Sequence, residues 1–298
     1  VSRGSGRPWR RRALLAVAGV ALALAAALAL NTWRGAVGWS VTTHLPAELA
    51  ATLRPAYAVT TPPGEGPFPT ALLFSGCDGP KDNLRRLART LRRAGWASVV
   101  VDSHGPRGFD HAQLWRLICT GQLLTGTERA GDVAVALDDV RAMPFVDAER
   151  MALIGASHGG WAILDFLALE ATGEPPPILE AWPASVEANG LDGVGAAVLL
   201  YPYCGPTSRM RQVEWRAAPA LLFLLVADDT ITDEEACRKV ASELRRRGTA
   251  VDLEVLQGVT HGFDQRQKAP LTTLDFAPEA AAAARRATAD FVARHAAR

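Results

Sequence analysis

Residues 151–160 read Met151-Ala152-Leu153-Ile154-Gly155-Ala156-Ser157-His158-Gly159-Gly160. The apolar run at 151–155 predicts a buried strand, and His158–Glu170 carries helical periodicity. Between them lies a G-x-S-x-G turn, Gly155 to Gly159. A residue at the top of so sharp a strand-to-helix turn takes a strained backbone and projects its side chain above the sheet. Glycines at 155 and 159 remove side chains that would clash in the turn. The helix N-terminus beneath Ser157 favours negative charge developing beside it. Ser157 is therefore the candidate nucleophile, and the turn predicts an α/β sheet around it.

The same alternation extends both ways. Upstream, Thr70–Ser75 and Trp96–Val101 predict strands, with helices over Lys81–Ala94 and Glu128–Met143. Downstream, Ala196–Tyr201, Ala220–Val226 and Ala250–Leu256 predict strands, and Thr232–Arg247 and Pro278–Ala297 helices. Strands alternating with helices predict a mostly parallel central sheet with helices on both faces. Ligands of such sheets bind beyond the carboxyl ends of the strands. Residues 31–67 read as an irregular entry segment, with a Pro/Gly loop at 61–67. Two long excursions, 103–127 and 173–194, interrupt the alternation, and such loops commonly form lids or binding loops.

A serine hydroxyl needs a base, and around this type of turn the partners follow in the order Ser, acid, His. His261 lies just beyond the strand predicted at 250–256 and is the candidate base. Asp228 and Asp229 follow the strand 220–226; Asp229, further beyond the strand end, is the preferred acid and Asp228 the alternative. A carboxylate there holds the imidazole tautomer and stabilises its cation. Thr232 and Glu235 resemble a capping box, with Asp233 as a helix N-terminal residue. Two backbone N–H groups, from His158 and from Cys77 in the loop Ser75–Gly79, are the expected oxyanion donors. Read as a thiol nucleophile, Cys77 lies on the wrong loop.

The 298 residues carry 32 basic and 31 acidic side chains, a net charge of +1 that gives no electrostatic case for nucleic acid. At the N-terminus, Arg3, Arg7, Arg10, Arg11 and Arg12 precede an uncharged apolar run, Ala13–Leu30. That pattern predicts either a membrane anchor through residues 13–30 or a signal peptide cleaved after Ala27-Leu28-Ala29. Either places the remainder outside the cytoplasm, membrane-anchored or exported. Residues 1–33 thus form a signal-anchor or signal peptide, 34–54 a linker, and 55–298 the main domain. The four cysteines, Cys77, Cys119, Cys204 and Cys237, permit two disulfides in three connectivities. No CxxC or Cys/His spacing calls for a metal.

Several segments together resemble the dienelactone hydrolase family of α/β-hydrolases over about residues 55–298. They are Phe68–Thr70 leading to Ser75–Gly79, Asp102–Gly108, Glu128–Asp132, Ser157–Trp161 and Thr260–Asp264. The resemblance implies an α/β-hydrolase fold and hydrolysis of an ester or related acyl bond, and it supports Asp229 as the acid. Two departures stand out: family members with the naming activity use cysteine where this chain has Ser157, and Ser75 replaces a usual histidine. Neighbouring strand ends suggest the pairs Cys204–Cys237 and Cys77–Cys119.

Arg107 is a candidate for a substrate carboxylate, or it holds its loop through backbone carbonyls or Asp78. Trp161, with Trp115 and Trp182, is a candidate pocket wall or simply core. His104 and His111 read as polar loop residues. The expected reaction is acyl transfer to water from a small-molecule ester, without cofactor or metal. The alternatives are a serine peptidase of related fold and a membrane-tethered, non-catalytic binding protein. The oligomeric state is not encoded in any feature of the chain.

Overall fold

The computed structural model describes residues 7–39, 41–211, 219–268 and 274–296. Arg3 of the basic flank and Ala297 at the predicted helix end lie outside them. The elements, in order, begin with helices α1 (Arg7–Ala36) and α2 (Pro46–Leu53) and strands β1 (Ala58–Thr60) and β2 (Phe68–Phe74). Helix α3 (Asp82–Arg93) and strand β3 (Ala97–Val101) follow. Then come the short α4 (His111–Gln113), a π-helical turn (Leu114–Ile118), α5 (Gly126–Arg141) and β4 (Val146–Ala156). Next are α6 (His158–Thr172), α7 (Ala184–Asn189), β5 (Val194–Leu200) and β6 (Ala220–Val226), then α8 (Glu234–Arg246), β7 (Val251–Leu256) and α9 (Pro278–His295).

Among the described residues the strands form one seven-stranded sheet in the order β1-β3-β2-β4-β5-β6-β7. All neighbours run parallel except β1, which pairs antiparallel with β3. The strands are nearly continuous apolar runs because both faces are covered. Side chains alternate between the faces. Leu72, Val99, Leu153, Leu199 and Phe223 pack toward α2, α5, α6 and α8. Leu73, Val100, Ile154, Val198 and Leu222 pack toward α3 and α9.

The irregular reading of residues 31–67 is corrected in two places. Helix α2 starts with Pro46 at its first turn and buries Leu49, Ala50 and Leu53, an i, i+3/i+4 stripe visible in the sequence. Strand β1 has only three half-exposed residues, too few for a periodicity signal. Helix α1 continues past the apolar run to Ala36, and its apolar side chains are exposed, Leu14 by 70% and Leu22 by 73%.

Disulfides join Cys77 to Cys119 and Cys204 to Cys237. The first ties the loop after β2 to the excursion before α5; the second ties the loop after β5 to α8.

Candidate active site

The site lies at the carboxyl ends of β2, β4, β5, β6 and β7. Ser157 stands between β4 and α6 with φ 51° and ψ −114°, a conformation that costs a non-glycine residue of order 1–3 kcal/mol. The turn is tight: a Cβ on Gly159 would fall 2.4 Å from the Phe74 carbonyl oxygen, and one on Gly155 2.5 Å from Gly159. Only glycine permits β2, β4 and α6 to approach so closely. Tyr201 (φ 38°) at the end of β5 and Asp228 (φ 54°) at the end of β6 have left-handed backbones as well. Strained backbone thus gathers around one rim of the sheet.

Ser157 Oγ lies 2.9 Å from His261 Nε2, and His261 Nδ1 lies 2.7 Å from Asp229 Oδ2. Asp229 Oδ1 accepts from the backbone N–H groups of Ile231 (2.8 Å) and Thr232 (3.1 Å), and Oδ2 also accepts from the Thr232 hydroxyl (3.0 Å). Burial pushes the Asp229 carboxyl up, but the bond and charge of His261 and these N–H donors outweigh it and hold the pKa below the usual carboxylate value. Asp228 is exposed, and its backbone N–H donates to Glu234 at 3.2 Å. The capping assignment is corrected. Asp233 itself caps α8 by accepting from the Ala236 N–H at 3.0 Å, while Thr232 serves Asp229.

Among the described residues, the backbone N–H groups of Cys77 and His158 have no protein acceptor. Both residues line the cavity that contains Ser157 and His261. The cavity encloses about 230 Å³, with Trp115, Ile118, Trp161 and Tyr203 on its apolar wall and Thr32 of α1 at its edge. Tyr201 stacks edge-on against His261 at 4.7 Å between centroids and donates its hydroxyl to the buried Asp264 at 2.5 Å.

Trp161 and Trp115 line the cavity, whereas Trp182 packs on Phe166 and donates to the Gly173 carbonyl. Arg107 is absent from the cavity wall, correcting its candidacy for a substrate carboxylate. Its guanidinium is bidentate to Asp132, at 2.7 and 3.0 Å, and donates to the Ser103 carbonyl at 2.5 Å. His104, in the loop after β3, is only 2% exposed, and burial, reinforced by Arg129, holds it neutral.

Two buried polar groups stand beneath the site: Asp165, which carried no signal in the sequence, and Arg129, which lies in the Glu128–Asp132 segment of the resemblance. Asp165 on α6 accepts from the Thr127 hydroxyl (2.6 Å), the Ser208 hydroxyl (2.7 Å), the Arg209 N–H (2.8 Å) and the Trp161 indole (2.8 Å). Burial raises its pKa to about 6 against these donors. Arg129 on α5 is fully buried and donates to the Ser75 carbonyl at 2.7 Å and the Ser103 hydroxyl at 2.8 Å, with His158 Nδ1 at 3.2 Å. Burial lowers its pKa to about 10, and burial beside this cation keeps His158 neutral.

Known proteins share this framework. Residues 181–296 match the model of the dienelactone hydrolase family. The protein m3DLH superposes with a TM-score of 0.62 at 22% identity, over 80% of this chain and 92% of that one. A dienelactone hydrolase-like promiscuous phosphotriesterase from metagenomic libraries gives 0.58 at 23% identity, over 78% and 88%. Thermogutta terrifontis esterase 2, phosphorylated by paraoxon, gives 0.59 at 16% identity, over 80% and 88%. Dipeptidyl-peptidase 5 of Porphyromonas gingivalis is 26% identical over 102 residues, which span 32% of this chain but 14% of that protein. The C-terminal part of the chain, residues 181–296, is thus similar to the dienelactone hydrolase family, and the α/β-hydrolase fold is shared along most of the chain.

Proposed function

We propose that the protein is a serine hydrolase that cleaves carboxylic esters through an acyl-enzyme, with Ser157 as nucleophile, His261 as general base and acid, and Asp229 as its orienting carboxylate. The observation that carries this reading is the continuous hydrogen-bond chain from Ser157 Oγ through His261 to Asp229. His261 Nε2 takes the Ser157 proton as Oγ adds to the ester carbonyl. Negative charge on the carbonyl oxygen is received by the Cys77 and His158 N–H groups, which are preorganised and otherwise unused. Collapse breaks the bond to the alcohol oxygen, which leaves with the proton from Nε2. Water then repeats the sequence: its proton passes to Nε2, its oxygen adds to the acyl carbon, and Ser157 leaves and recovers the proton. Asp229 stays ionised throughout and stabilises the imidazolium.

The test is hydrolysis of p-nitrophenyl butyrate, with a fluorophosphonate or paraoxon as active-site label. Ser157→Ala is expected to abolish labelling and to lower kcat by at least about 10⁴-fold. Folded wild-type protein that neither labels nor turns over would sink the reading in favour of a non-catalytic binding protein. A peptidase is the second reading, favoured by the segment similar to Dipeptidyl-peptidase 5. Turnover of a dipeptidyl p-nitroanilide faster than of the ester would move it ahead.

A further inference from the structure

Helix α1 is apolar enough to cross a membrane over Trp9–Gly35, and its residues 9–30 are exposed along their whole length. Leu15, Val20, Leu24 and Leu28 are each more than half exposed. Such a surface in water opposes the hydrophobic effect. Its flanks fit a bilayer. Arg10, Arg11 and Arg12 stand at one end beside Trp9, while Trp33 and Trp39 lie at the other, exposed by 51% and 59%. Trp9 and Trp33 are about 36 Å apart along the helix axis, which places both aromatic ends at the interfaces of a hydrocarbon core about 30 Å thick.

The end of α1 that leaves this apolar stretch is built into the edge of the catalytic cavity. Asn31 donates to the Gln122 backbone carbonyl at 2.7 Å and meets its side-chain oxygen at 3.2 Å. Gln122 in turn donates to the Thr32 hydroxyl at 2.7 Å. Thr32 itself lines the cavity, beside Thr120 and Gly121 of the excursion that carries Trp115 and Ile118. One turn on, Gly35 is buried so closely on α5 that a Cβ would sit 2.9 Å from Thr125 Cγ2. Leu123, next to Gln122, and Ile231, on the cavity wall, are exposed apolar side chains on this rim. The cavity, about 230 Å³, is smaller than the roughly 300–1,000 Å³ of pockets that enclose a whole drug-sized ligand. A long chain on a substrate therefore extends out of the mouth.

We propose that α1 is a retained membrane anchor that seats the cavity mouth on the bilayer surface, and that the substrate is a long-chain acyl ester of an amphiphile resident in that bilayer. This rests on the serine acyl-transfer reading above and specifies its substrate. The ester carbonyl rises to Ser157 past Thr32 while the distal part of the acyl chain stays among the lipid tails. Hydrolysis consumes one water and yields the amphiphile's alcohol and a fatty acid, which returns to the membrane.

The test uses the full chain reconstituted in vesicles of phosphatidylcholine and phosphatidylglycerol. Two probes are compared: 4-methylumbelliferyl palmitate dissolved in the bilayer, and p-nitrophenyl acetate in the water. Two variants loosen the end of α1 from the excursion without substituting a cavity-lining residue: Gly35→Leu, and Asn31→Ala, which removes both bonds to Gln122. Each is expected to lose roughly ten-fold or more on the embedded ester, since positioning at the mouth is lost. On p-nitrophenyl acetate each is expected to stay within about two-fold of wild type, which also reports intact folding. Equal rates of variants and wild type on the embedded ester would overturn the proposal, as would wild type that hydrolyses the acetate but ignores the palmitate. Those results leave the acyl-transfer reading standing. Failure of that reading looks different: folded protein with no fluorophosphonate labelling at Ser157 and no turnover of either ester, which would remove both.

Discussion

Cys77 lines the cavity with Ser157, and its Sγ is bonded to Cys119 on the excursion, which lines the same cavity. The loop after β2 and the excursion before α5 are therefore one covalent unit. Replacing both cysteines by serine is expected to lower stability by roughly 2–4 kcal/mol, because a long loop is released in the unfolded chain. It is also expected to lower kcat on p-nitrophenyl butyrate several-fold, by loosening the oxyanion loop. Thermal unfolding and steady-state rates, with dithiothreitol-treated wild type as the parallel case, check both. A double variant with unchanged kcat would mean that the bridge does not position the loop.

The two adjacent aspartates after β6 separate by experiment. Asp229→Asn is expected to reduce kcat by about 10³–10⁴-fold, through loss of the imidazolium partner and of the correct tautomer. Asp228→Asn is expected to leave kcat close to wild type, since Asp228 is exposed and His261 is bonded to Asp229 instead. Thr232→Val removes one donor to Asp229 and is expected to cost kcat several-fold at nearly constant KM. An effect of Asp228→Asn as large as that of Asp229→Asn would refute the assignment.

Asp165 makes stability depend on pH in a definite direction. Its folded pKa is raised by burial from 3.8 to about 6, so the native state holds this proton more tightly than the unfolded chain. The corresponding stability is fully present below about pH 4 and is lost as pH rises through about 6, a contribution of about 3 kcal/mol. Urea midpoints of wild type and Asp165→Asn at pH 4 and 7 check this: the difference between the two proteins should change across that interval by about that amount. Asp165→Ala, which strands four donors and frees the Trp161 indole, is expected to cost about 3–5 kcal/mol.

Arg129 anchors the loop after β2 from beneath. Its removal as Arg129→Met leaves the Ser75 carbonyl without this donor and is expected to destabilise the fold by about 1–3 kcal/mol. Arg129→Lys should recover little, because a single ammonium cannot span Ser75 and Ser103 as the guanidinium fork does. Chemical denaturation of the two variants distinguishes a fork requirement from a simple charge requirement.

Local sequence determined much of this protein. The order strand, G-x-S-x-G, helix is a short-range pattern, and its requirement for glycine at 155 and 159 is backbone sterics that act within a few residues. The placement of His261, Asp228 and Asp229 after strands follows from chain order once the alternation of strands and helices is read. The apolar run at 13–30 declares itself by length and composition alone. Tertiary structure decided what depends on distant groups meeting. Asp229 and Asp228 are neighbours of the same type, and only the folded structure brings Asp229 to His261 and leaves Asp228 exposed. Arg107 reads equally as a ligand for a substrate carboxylate or as a loop anchor until Asp132, on another element, occupies its fork. Asp165 looks like an ordinary helical aspartate, because its donors come from α5, its own helix and the segment around Ser208. Thr32 belongs to the apolar helix in sequence and to the cavity in space. Hydrogen bonds and burial among residues far apart in the chain leave no periodic trace, so these roles emerge only when the sheet brings the segments together.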